Sequence, residues 1–252
     1  MSALLKLKHI RKDFGGLRAV DDVSFDVERG NIVGLVGPNG SGKSTLINVI
    51  SGMVEPTSGQ VVFDGLDITG KSPNAIFDYG LTRGFQEPGL FFQMTALDNM
   101  LLPVKKQRGE RPGAAPWRRL WRAQEENNAL EAHNALARME IDGHYGKLAS
   151  DLSGGQMKLL EMARALMGSP TMMLLDEPTA GVAPKLAQKI FSHINALNKH
   201  FGITFLIVEH RLELLFEHVD VVIVMHMGSI LAVDTPDAIT RNAVVREVYL
   251  GD

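Results

Sequence analysis

Short runs of apolar residues alternate along the chain with stretches in which apolar residues recur every three or four positions. The runs have strand length and occupy residues 31–36, 81–85, 171–175 and 203–208. Helical spacing is found at residues 46–51, 74–79, 124–139, 159–166, 184–199, 236–241 and 243–250. Fully buried parallel strands read as continuous apolar runs, and the connecting helices show a 3.6-residue period. The pattern therefore predicts an α/β fold around a parallel sheet.

Strands of a second kind are predicted near both ends of the chain. Residues 5–10 alternate between apolar and polar, and after a turn at 11–16 a second strand is predicted around 19–27. The remaining predicted strands are 60–64, 219–225 and 230–233. The last two are joined by Met227, Gly228 and Ser229 and form a predicted hairpin.

Composition narrows the class of protein. The 252 residues are 45% apolar and 22% charged, as in ordinary globular proteins, and they fit one large domain or a core with a smaller subdomain. The net charge of −3 gives no indication of general nucleic-acid binding. The absence of cysteine excludes disulfides, cysteine zinc sites and a thiol nucleophile. No apolar run approaches the ~18 residues of a membrane span. We therefore expect a soluble intracellular protein that reaches a membrane only through a partner.

The most informative stretch follows the first apolar run and reads G-x-x-x-x-G-K-S-T. Its residues are Gly37, Pro38, Asn39, Gly40, Ser41, Gly42, Lys43, Ser44 and Thr45. A strand, a glycine-rich turn and a helix in this order distinguish a phosphate-binding loop from a chance match. Lys43 is expected to reach the β- and γ-phosphates, and the Ser44 hydroxyl to ligate Mg²⁺. The chain is therefore predicted to bind a nucleoside triphosphate.

Polar residues follow three of the apolar runs. Gln86 follows the run at 81–85, Asp176 and Glu177 follow the third, and His210 lies just after the fourth. The carboxyl ends of parallel strands meet at the edge of the sheet where α/β proteins bind ligands. Asp176 suits Mg²⁺, Glu177 can act as a base on water, and His210 can reach the γ-phosphate. Gln86 either faces the metal or is an ordinary loop residue.

Three further features suggest functions, and for two of them, Phe14 and the segment 103–122, alternatives stay open. Phe14, at the tip of the first predicted hairpin, either packs on the core or stacks on a nucleotide base. The turn at 152–156, Leu-Ser-Gly-Gly-Gln, opens a helix and offers a second anion site. The segment 103–122 is strongly basic, and its Trp117 and Trp121 are spaced to share one helix face. That segment is either a solvated surface insertion or a contact with a membrane or partner.

In this order the motifs resemble those of ATP-binding-cassette (ABC) ATPases, the nucleotide-binding subunits of ABC transporters, over essentially the whole chain. The matching motifs are a Walker A loop at 37–45, a Q-loop glutamine at Gln86, an unaltered LSGGQ signature at 152–156, a Walker B strand with its glutamate at 172–177, and a switch histidine at His210. The signature separates this family from kinases, GTPases and helicases with the same phosphate loop. The resemblance implies an α/β fold: a P-loop NTPase (RecA-like) core with an ABC antiparallel β subdomain, at 1–86 and 166–252, and an inserted α-helical signature subdomain at 87–165.

The resemblance also implies a role for each motif residue. Glu177, His210, Lys43 and Gln86 are the expected catalytic residues, and the expected Mg²⁺ ligands are Ser44, Gln86 and, through water, Asp176. The expected ATP contacts are Phe14, Gly37, Asn39, Gly40, Ser41, Gly42, Lys43, Ser44 and Thr45 of one chain, with Ser153, Gly154, Gly155 and Gln156 of a second cassette. Phe14 falls where the family places the aromatic residue that stacks on adenine.

Four short stretches resemble more closely the ATP-binding subunits of branched-chain amino acid importers: 14–20, 181–184, 209–211 and 248–251. This subgroup implies transmembrane permease subunits as partners, contacted near 86–97, and a second ABC ATPase subunit, identical or different. It also implies a periplasmic or extracellular solute-binding protein as an indirect partner, no nucleic acid, and a peripheral location on the cytoplasmic side of the cell membrane.

One departure and several alternatives remain. The usual D-loop has an aspartate where this chain has Gly181, Val182 and Ala183, so communication across a dimer can differ. Related cassettes move urea, amides or lipopolysaccharide, and others work in DNA repair or translation without a permease. A GTPase or small-molecule kinase is disfavoured by the signature and by the lack of a guanine-reading Asn-Lys-x-Asp motif.

Overall fold

A computed structural model describes residues 3–84 and 89–250, with side chains described through Val248. Gln86, predicted to be a metal and catalytic residue, lies outside these residues. The chain divides into two compact units. The first comprises Met1–Gln86, Thr171–Gly181 and Ala187–Asp252, and the second Glu87–Pro170 and Val182–Leu186. No helix in the described part of the chain has the length and apolar character needed to cross a membrane.

Two sheets are formed by the part of the first unit that the structure describes. The strands in chain order are β1 (Ala3–Phe14), β2 (Leu17–Glu28), β3 (Ile32–Val36), β4 (Ser58–Phe63), β5 (Leu66–Asp67), β6 (Leu81–Gly84), β7 (Met172–Asp176), β8 (Thr204–Val208), β9 (Val221–His226) and β10 (Ser229–Asp234). Four of them form an antiparallel sheet in the order β2-β1-β4-β5. The other six form a sheet in the order β10-β9-β3-β8-β7-β6, parallel except for the β9–β10 hairpin.

The central strands β3, β7 and β8 are buried at every residue. Such strands lie inside a sheet covered on both faces, which explains their continuous apolar sequences. Val36, Asp176 and Val208 end the three strands at one edge of the sheet, because Asp176 pairs with Val208 and Leu35 also pairs with Val208. The loops that leave this edge therefore come together, as the sequence predicts.

Helices accompany the sheets of the first unit. They are α1 (Lys43–Ile50), α2 (Pro73–Asp78), most of α6 (Pro184–Phe201), α7 (Leu212–Phe216), α8 (Pro236–Arg241) and α9 (Ala243–Leu250). In α6, Ile190, Phe191, Ile194 and Leu197 are buried, at the spacing of one helix face. Short α7 is not predicted by the sequence pattern, because five residues carry too little periodicity to recognise.

The described residues of the second unit form α3 (Ala96–Leu101), α4 (Arg122–Arg138), α5 (Gly154–Leu166) and four short 3₁₀ turns. Met100, Ala132, Leu136 and Leu160 are fully buried among these helices. The sequence pattern predicts no helix at α3, although Thr95 and Asp98 form a capping box that marks its start.

The prediction that Trp117 and Trp121 lie on one helix face is wrong. Residues 118–120 form a 3₁₀ turn rather than a continuation of α4, so the four-residue spacing does not align the rings. Trp117 is 66% exposed, whereas Trp121 packs against Gly109 and its indole N–H donates to the Ala115 carbonyl at 3.1 Å.

The α/β prediction with an antiparallel β subdomain is confirmed, and most predicted elements are found within a few residues of their expected bounds. The compact second unit extends to Pro170 and includes Val182–Leu186, beyond the predicted limits of 87–165. The division of labour between a nucleotide-binding core and a signature subdomain stays a prediction.

Candidate functional site

The phosphate-binding loop connects β3 to α1 and approaches other backbone so closely that two positions require glycine. A Cβ on Gly37 would lie 2.2 Å from the Met225 carbonyl oxygen, and one on Gly42 would lie 2.4 Å from that of Ala19. Gly42 also has φ 99°, which favours glycine. These contacts explain why both glycines of the motif are needed for the fold as well as for binding.

The Lys43 side chain folds over the loop that carries it. Its Nζ donates to the carbonyl oxygens of Gly37 at 2.7 Å and Pro38 at 3.0 Å. Lys43 is only 6% exposed, and burial lowers the pKa of its ammonium group, while the negative charges of Glu177 and Asp176 act to raise it. A partly desolvated cation is thus held at the centre of a loop built to bind anions.

The loop borders an open cavity of about 520 Å³ in the first unit. The cavity is also lined by Glu177 and His210, which approach from the ends of β7 and β8. Its remaining wall is made by Leu17, Arg18, Ala19, Met227 and Gly228 of the two hairpins. Ligand pockets commonly have volumes of about 300–1,000 Å³, so the cavity has room for a nucleotide.

Glu177 and His210 meet at this cavity. Glu177 Oε1 lies 3.0 Å from His210 Nε2, and the backbone N–H of Glu177 donates to the Val208 carbonyl at 2.9 Å. Glu177 has φ 50°, an unusual left-handed conformation for a residue with a side chain. Such conformations cluster at functional sites because the surrounding structure must hold them. The turn thus directs the carboxylate towards His210.

Asp176 is buried beside this pair, with a partner that the sequence analysis does not predict. Its Oδ2 accepts from Arg83 Nη2 at 3.2 Å. Arg83 Nη1 also donates to Asn48 Oδ1 at 2.5 Å and to Ser51 Oγ at 3.2 Å, both at the C-terminal end of α1. The only signal for this link is a charged residue within the apolar run of β6. Arg83 ties the Asp176 carboxylate to the helix that follows the phosphate loop.

Phe14 ends β1 and is 47% exposed, with the Lys12 ammonium 4.9 Å from its ring centroid. It does not border the cavity; Leu17 and Arg18 of the same hairpin do. Arg18 donates to Asp13 at 3.0 Å, and this bond raises the pKa of the guanidinium. The exposed ring is not packed on the core, and its contact with adenine stays a prediction.

The signature turn opens α5 in the second unit. Ser153 is the N-cap, and it forms a capping box with Gln156, whose amide nitrogen also lies 2.7 Å from His144 Nε2. A Cβ on Gly154 would meet no atom within 4 Å, whereas one on Gly155 would lie 2.2 Å from the Leu186 side chain. The turn is therefore fixed by its cap while Gly154 leaves the helix N-terminus open to a ligand.

Comparison with known proteins places these motifs in a family. The ABC transporter family profile matches residues 20–180. The chain is 42% identical to the probable branched-chain amino acid transport ATP-binding protein LivG of Methanocaldococcus jannaschii, over 99% of this chain and 98% of that protein. It is also similar to the crystal structure of an ABC transporter cassette in its ADP conformation, with a TM-score of 0.86, 41% identity and complete coverage of both chains.

A dimeric cassette, in a post-hydrolysis state with ADP and Pi, is a more distant structural relative. It has a TM-score of 0.77 and 27% identity, over 92% of this chain and 98% of the other. Both structural relatives are ATP-binding cassettes, and the sequence match covers the phosphate loop, the signature and the strand that ends at Asp176. The chain therefore belongs to the ABC transporter family, as one of its ATP-binding cassettes.

Proposed function

We propose that the chain is the ATP-binding and ATP-hydrolysing subunit of an importer that takes up branched-chain amino acids through a membrane permease. The observation that carries the ATPase function is the convergence of Lys43, Glu177 and His210 on one cavity. The cargo is supported by relatives named for branched-chain amino acid transport that match over nearly the whole chain.

ATP binds with its phosphates in the loop of 37–45, where backbone N–H groups and the N-terminus of α1 face the anion. Lys43 exchanges the carbonyl oxygens of Gly37 and Pro38 for oxygens of the β- and γ-phosphates. This exchange is favourable because the ammonium group is already partly desolvated and the phosphates bring negative charge. Phe14 stacks on the adenine.

Hydrolysis depends on Glu177 and His210 at the cavity wall. The Glu177 carboxylate accepts a proton from a water molecule as the water oxygen attacks the γ-phosphorus, and ADP leaves with the electron pair of the broken P–O bond. His210, 3.0 Å from Glu177, orients the carboxylate and holds the γ-phosphate. Because phosphoryl transfer depends on positioning and charge neutralisation, the fixed turns at 177 and 210 supply what the reaction needs.

The residues present fit Mg²⁺. Among the described residues, no group of three or more histidine, cysteine, aspartate or glutamate side chains could hold a metal by itself. Mg²⁺ is usually bound by one or two carboxylates together with substrate phosphates, so this limited protein set is suitable. Ser44 and Gln86 would hold the ion, with Asp176 acting through water. When bound, it neutralises charge on the β- and γ-phosphates.

We expect the signature turn to belong to a second active site. Ser153, Gly154 and Gly155 of one cassette complete the site formed by the Walker motifs of another, so two ATP molecules join two cassettes with two-fold symmetry. The open N-terminus of α5 supports this role, as does the dimeric form of the relative with ADP and Pi. A single cassette should then hydrolyse ATP poorly.

Gly154→Glu tests the composite site. In a Glu177→Gln background we expect the parent protein to shift from monomer to dimer when Mg-ATP is added, and the Gly154→Glu protein to stay monomeric with ATP bound. The added side chain has space within its own unit, so folding is preserved, but its charge repels phosphate. The measurement is mass in solution by light scattering, with bound ATP determined in parallel.

Serine at the same position is the matched control, because it adds no charge. Dimerisation of the Gly154→Glu protein to the same extent as its parent would contradict the role given to the signature. If the parent itself binds ATP and stays monomeric, self-pairing is excluded, and the obligatory partner is a different cassette.

The permease is expected to contact the segment 86–97 from the cytoplasmic side of the membrane. Within the described part of this segment, Phe91 and Phe92 are 56% and 48% exposed, respectively. Neighbouring exposed aromatic rings are typical of protein interfaces. Their backbone is nevertheless held in place, since the Phe91 N–H donates to Asn99 Oδ1 at 2.9 Å.

Replacing both Phe91 and Phe92 with serine should reduce co-purification of the permease and amino acid uptake, while ATP binding by the isolated chain is unchanged. The change removes apolar contact area from the proposed interface, and neither residue is among those that line the cavity. Leu130→Ser, at another exposed apolar position of the second unit, is the control. Uptake equal to wild type in the double variant would refute this contact.

Cargo is tested by uptake in cells that lack this chain. Loss of leucine, isoleucine and valine uptake, restored by the wild-type chain and not by Glu177→Gln, would support the proposed cargo. Unchanged uptake of these amino acids together with loss of urea or amide uptake would favour an importer for those solutes. A lipopolysaccharide export defect, or a DNA repair or translation defect without any transport defect, would favour the other members of the family.

A further inference from the structure

Glu209, between the end of β8 and His210, carries a buried carboxylate on which four hydrogen-bond donors converge. The residue is 4% exposed. Oε1 accepts from the backbone N–H of Thr179 at 2.9 Å and from its hydroxyl at 2.5 Å. Oε2 accepts from the backbone N–H groups of His210 at 3.0 Å and Arg211 at 3.4 Å. Burial of a carboxylate is costly unless its oxygens are hydrogen-bonded, and here both are.

The donors belong to the two turns that bring Glu177 and His210 to the cavity. Thr179 is itself fully buried and lies two residues after Glu177, in the turn that follows β7. His210 lies in the turn that follows β8. The carboxylate therefore joins two segments that are 30 positions apart in the chain.

We propose that Glu209 is a positioning residue for ATP hydrolysis, which sets the place of His210 relative to Glu177. The inference rests on the proposed roles of these two residues in the reaction. The side chains of Glu177 and His210 are linked by one contact of 3.0 Å, and a histidine with 47% of its side chain exposed is not held by packing alone. Glu209 fixes the backbone beneath the imidazole and ties that backbone to the turn of the catalytic carboxylate.

Glu209→Gln is the informative variant, because glutamine keeps the size and replaces one acceptor oxygen with an NH₂ donor. The new NH₂ group would then face either the two Thr179 donors or the N–H groups of His210 and Arg211. Because two donors repel each other, the turn that carries them would move. Displacement of catalytic groups by about 1 Å can cost roughly 10²-fold in rate. We expect kcat to fall about 10- to 100-fold, with the Kd for ATP unchanged because the groups that donate to Glu209 belong to the turns after β7 and β8 and not to the phosphate loop.

Two further variants sharpen the test. Glu213→Gln removes an exposed carboxylate from the same region and should leave kcat and the Kd for ATP as in wild type. Thr179→Val removes the hydroxyl and retains the N–H that donates to Glu209, so it should lower kcat in the same direction by less.

The measurements are phosphate release under saturating Mg-ATP, equilibrium ATP binding and the thermal unfolding midpoint. A fall in kcat with ATP binding retained supports the positioning role. An unchanged kcat overturns it, as does a parallel loss of ATP binding and folding, which would make Glu209 a purely structural residue. Wild-type protein, paired with its partner cassette, that releases no phosphate would instead refute the proposed function itself.

Discussion

Replacing Glu177 with glutamine is expected to lower ATP turnover by about 10²–10⁴-fold, the usual contribution of a positioned general base. Glutamine has the same length and can keep the contact with His210 Nε2, 3.0 Å from Oε1 in the wild type. It cannot accept the proton of the attacking water as a carboxylate does. The phosphate loop is untouched, so ATP should bind as before and stay intact between two cassettes.

Phosphate release under saturating Mg-ATP measures this effect. Glu55→Gln, at an exposed position of the same unit, provides a control for the change of charge. The Glu177 turn has φ 50°, which glutamine tolerates as glutamate does, so the unfolding midpoint should be similar. Near-normal phosphate release by the Glu177→Gln protein would refute the assignment of the base.

Lys43→Ala is expected to weaken ATP binding by about 10- to 100-fold, since hydrogen bonds to charged groups each contribute about 1.5–3 kcal/mol. The variant should also abolish turnover, because the γ-phosphate loses the cation that neutralises its charge. The burial that lowers the Lys43 pKa makes this cation effective, because water screens it little.

Binding of ATP measured by calorimetry, with Lys71→Ala as the exposed-lysine control, tests this expectation. Alanine removes the ammonium group that donates to the Gly37 and Pro38 carbonyls, although Pro38 still accepts from the Ser41 backbone N–H. Thermal unfolding must therefore show that the loop variant is folded. If a folded Lys43→Ala protein binds ATP as tightly as wild type, the phosphates do not bind beside Lys43 as proposed.

The sequence predicts where the parallel strands lie along the chain. It also predicts that the polar residues after these strands come together, and both predictions have a physical reason. A buried parallel strand needs a continuous apolar run, and residues that follow such runs meet at one edge of the sheet. Asp176, Glu177 and His210 could therefore be assigned to one site before any contact was known. The close approaches at Gly37 and Gly42 likewise follow from the motif, since only glycine lets the loop bend so near other backbone.

Contacts between distant side chains could not be predicted in this way. Arg83 and Asp176 are 93 positions apart, and Glu209 and Thr179 are 30 apart, so no periodicity connects them. Both pairs depend on which strands are neighbours in the sheet. The prediction that Trp117 and Trp121 share a helix face failed because it requires a continuous helix, whereas the chain forms a 3₁₀ turn there.

The nucleotide that the protein retains shows whether this cavity binds ATP and whether Glu177 is the base that activates the attacking water. The Glu177→Gln protein is incubated with Mg-ATP and, if it does not pair with itself, with its partner cassette carrying the equivalent change. Excess nucleotide is removed, the protein is denatured, and the released nucleotide is separated by chromatography. We expect intact ATP. Recovery of ADP in its place would contradict the role of Glu177, because the chain would then cleave ATP without this base.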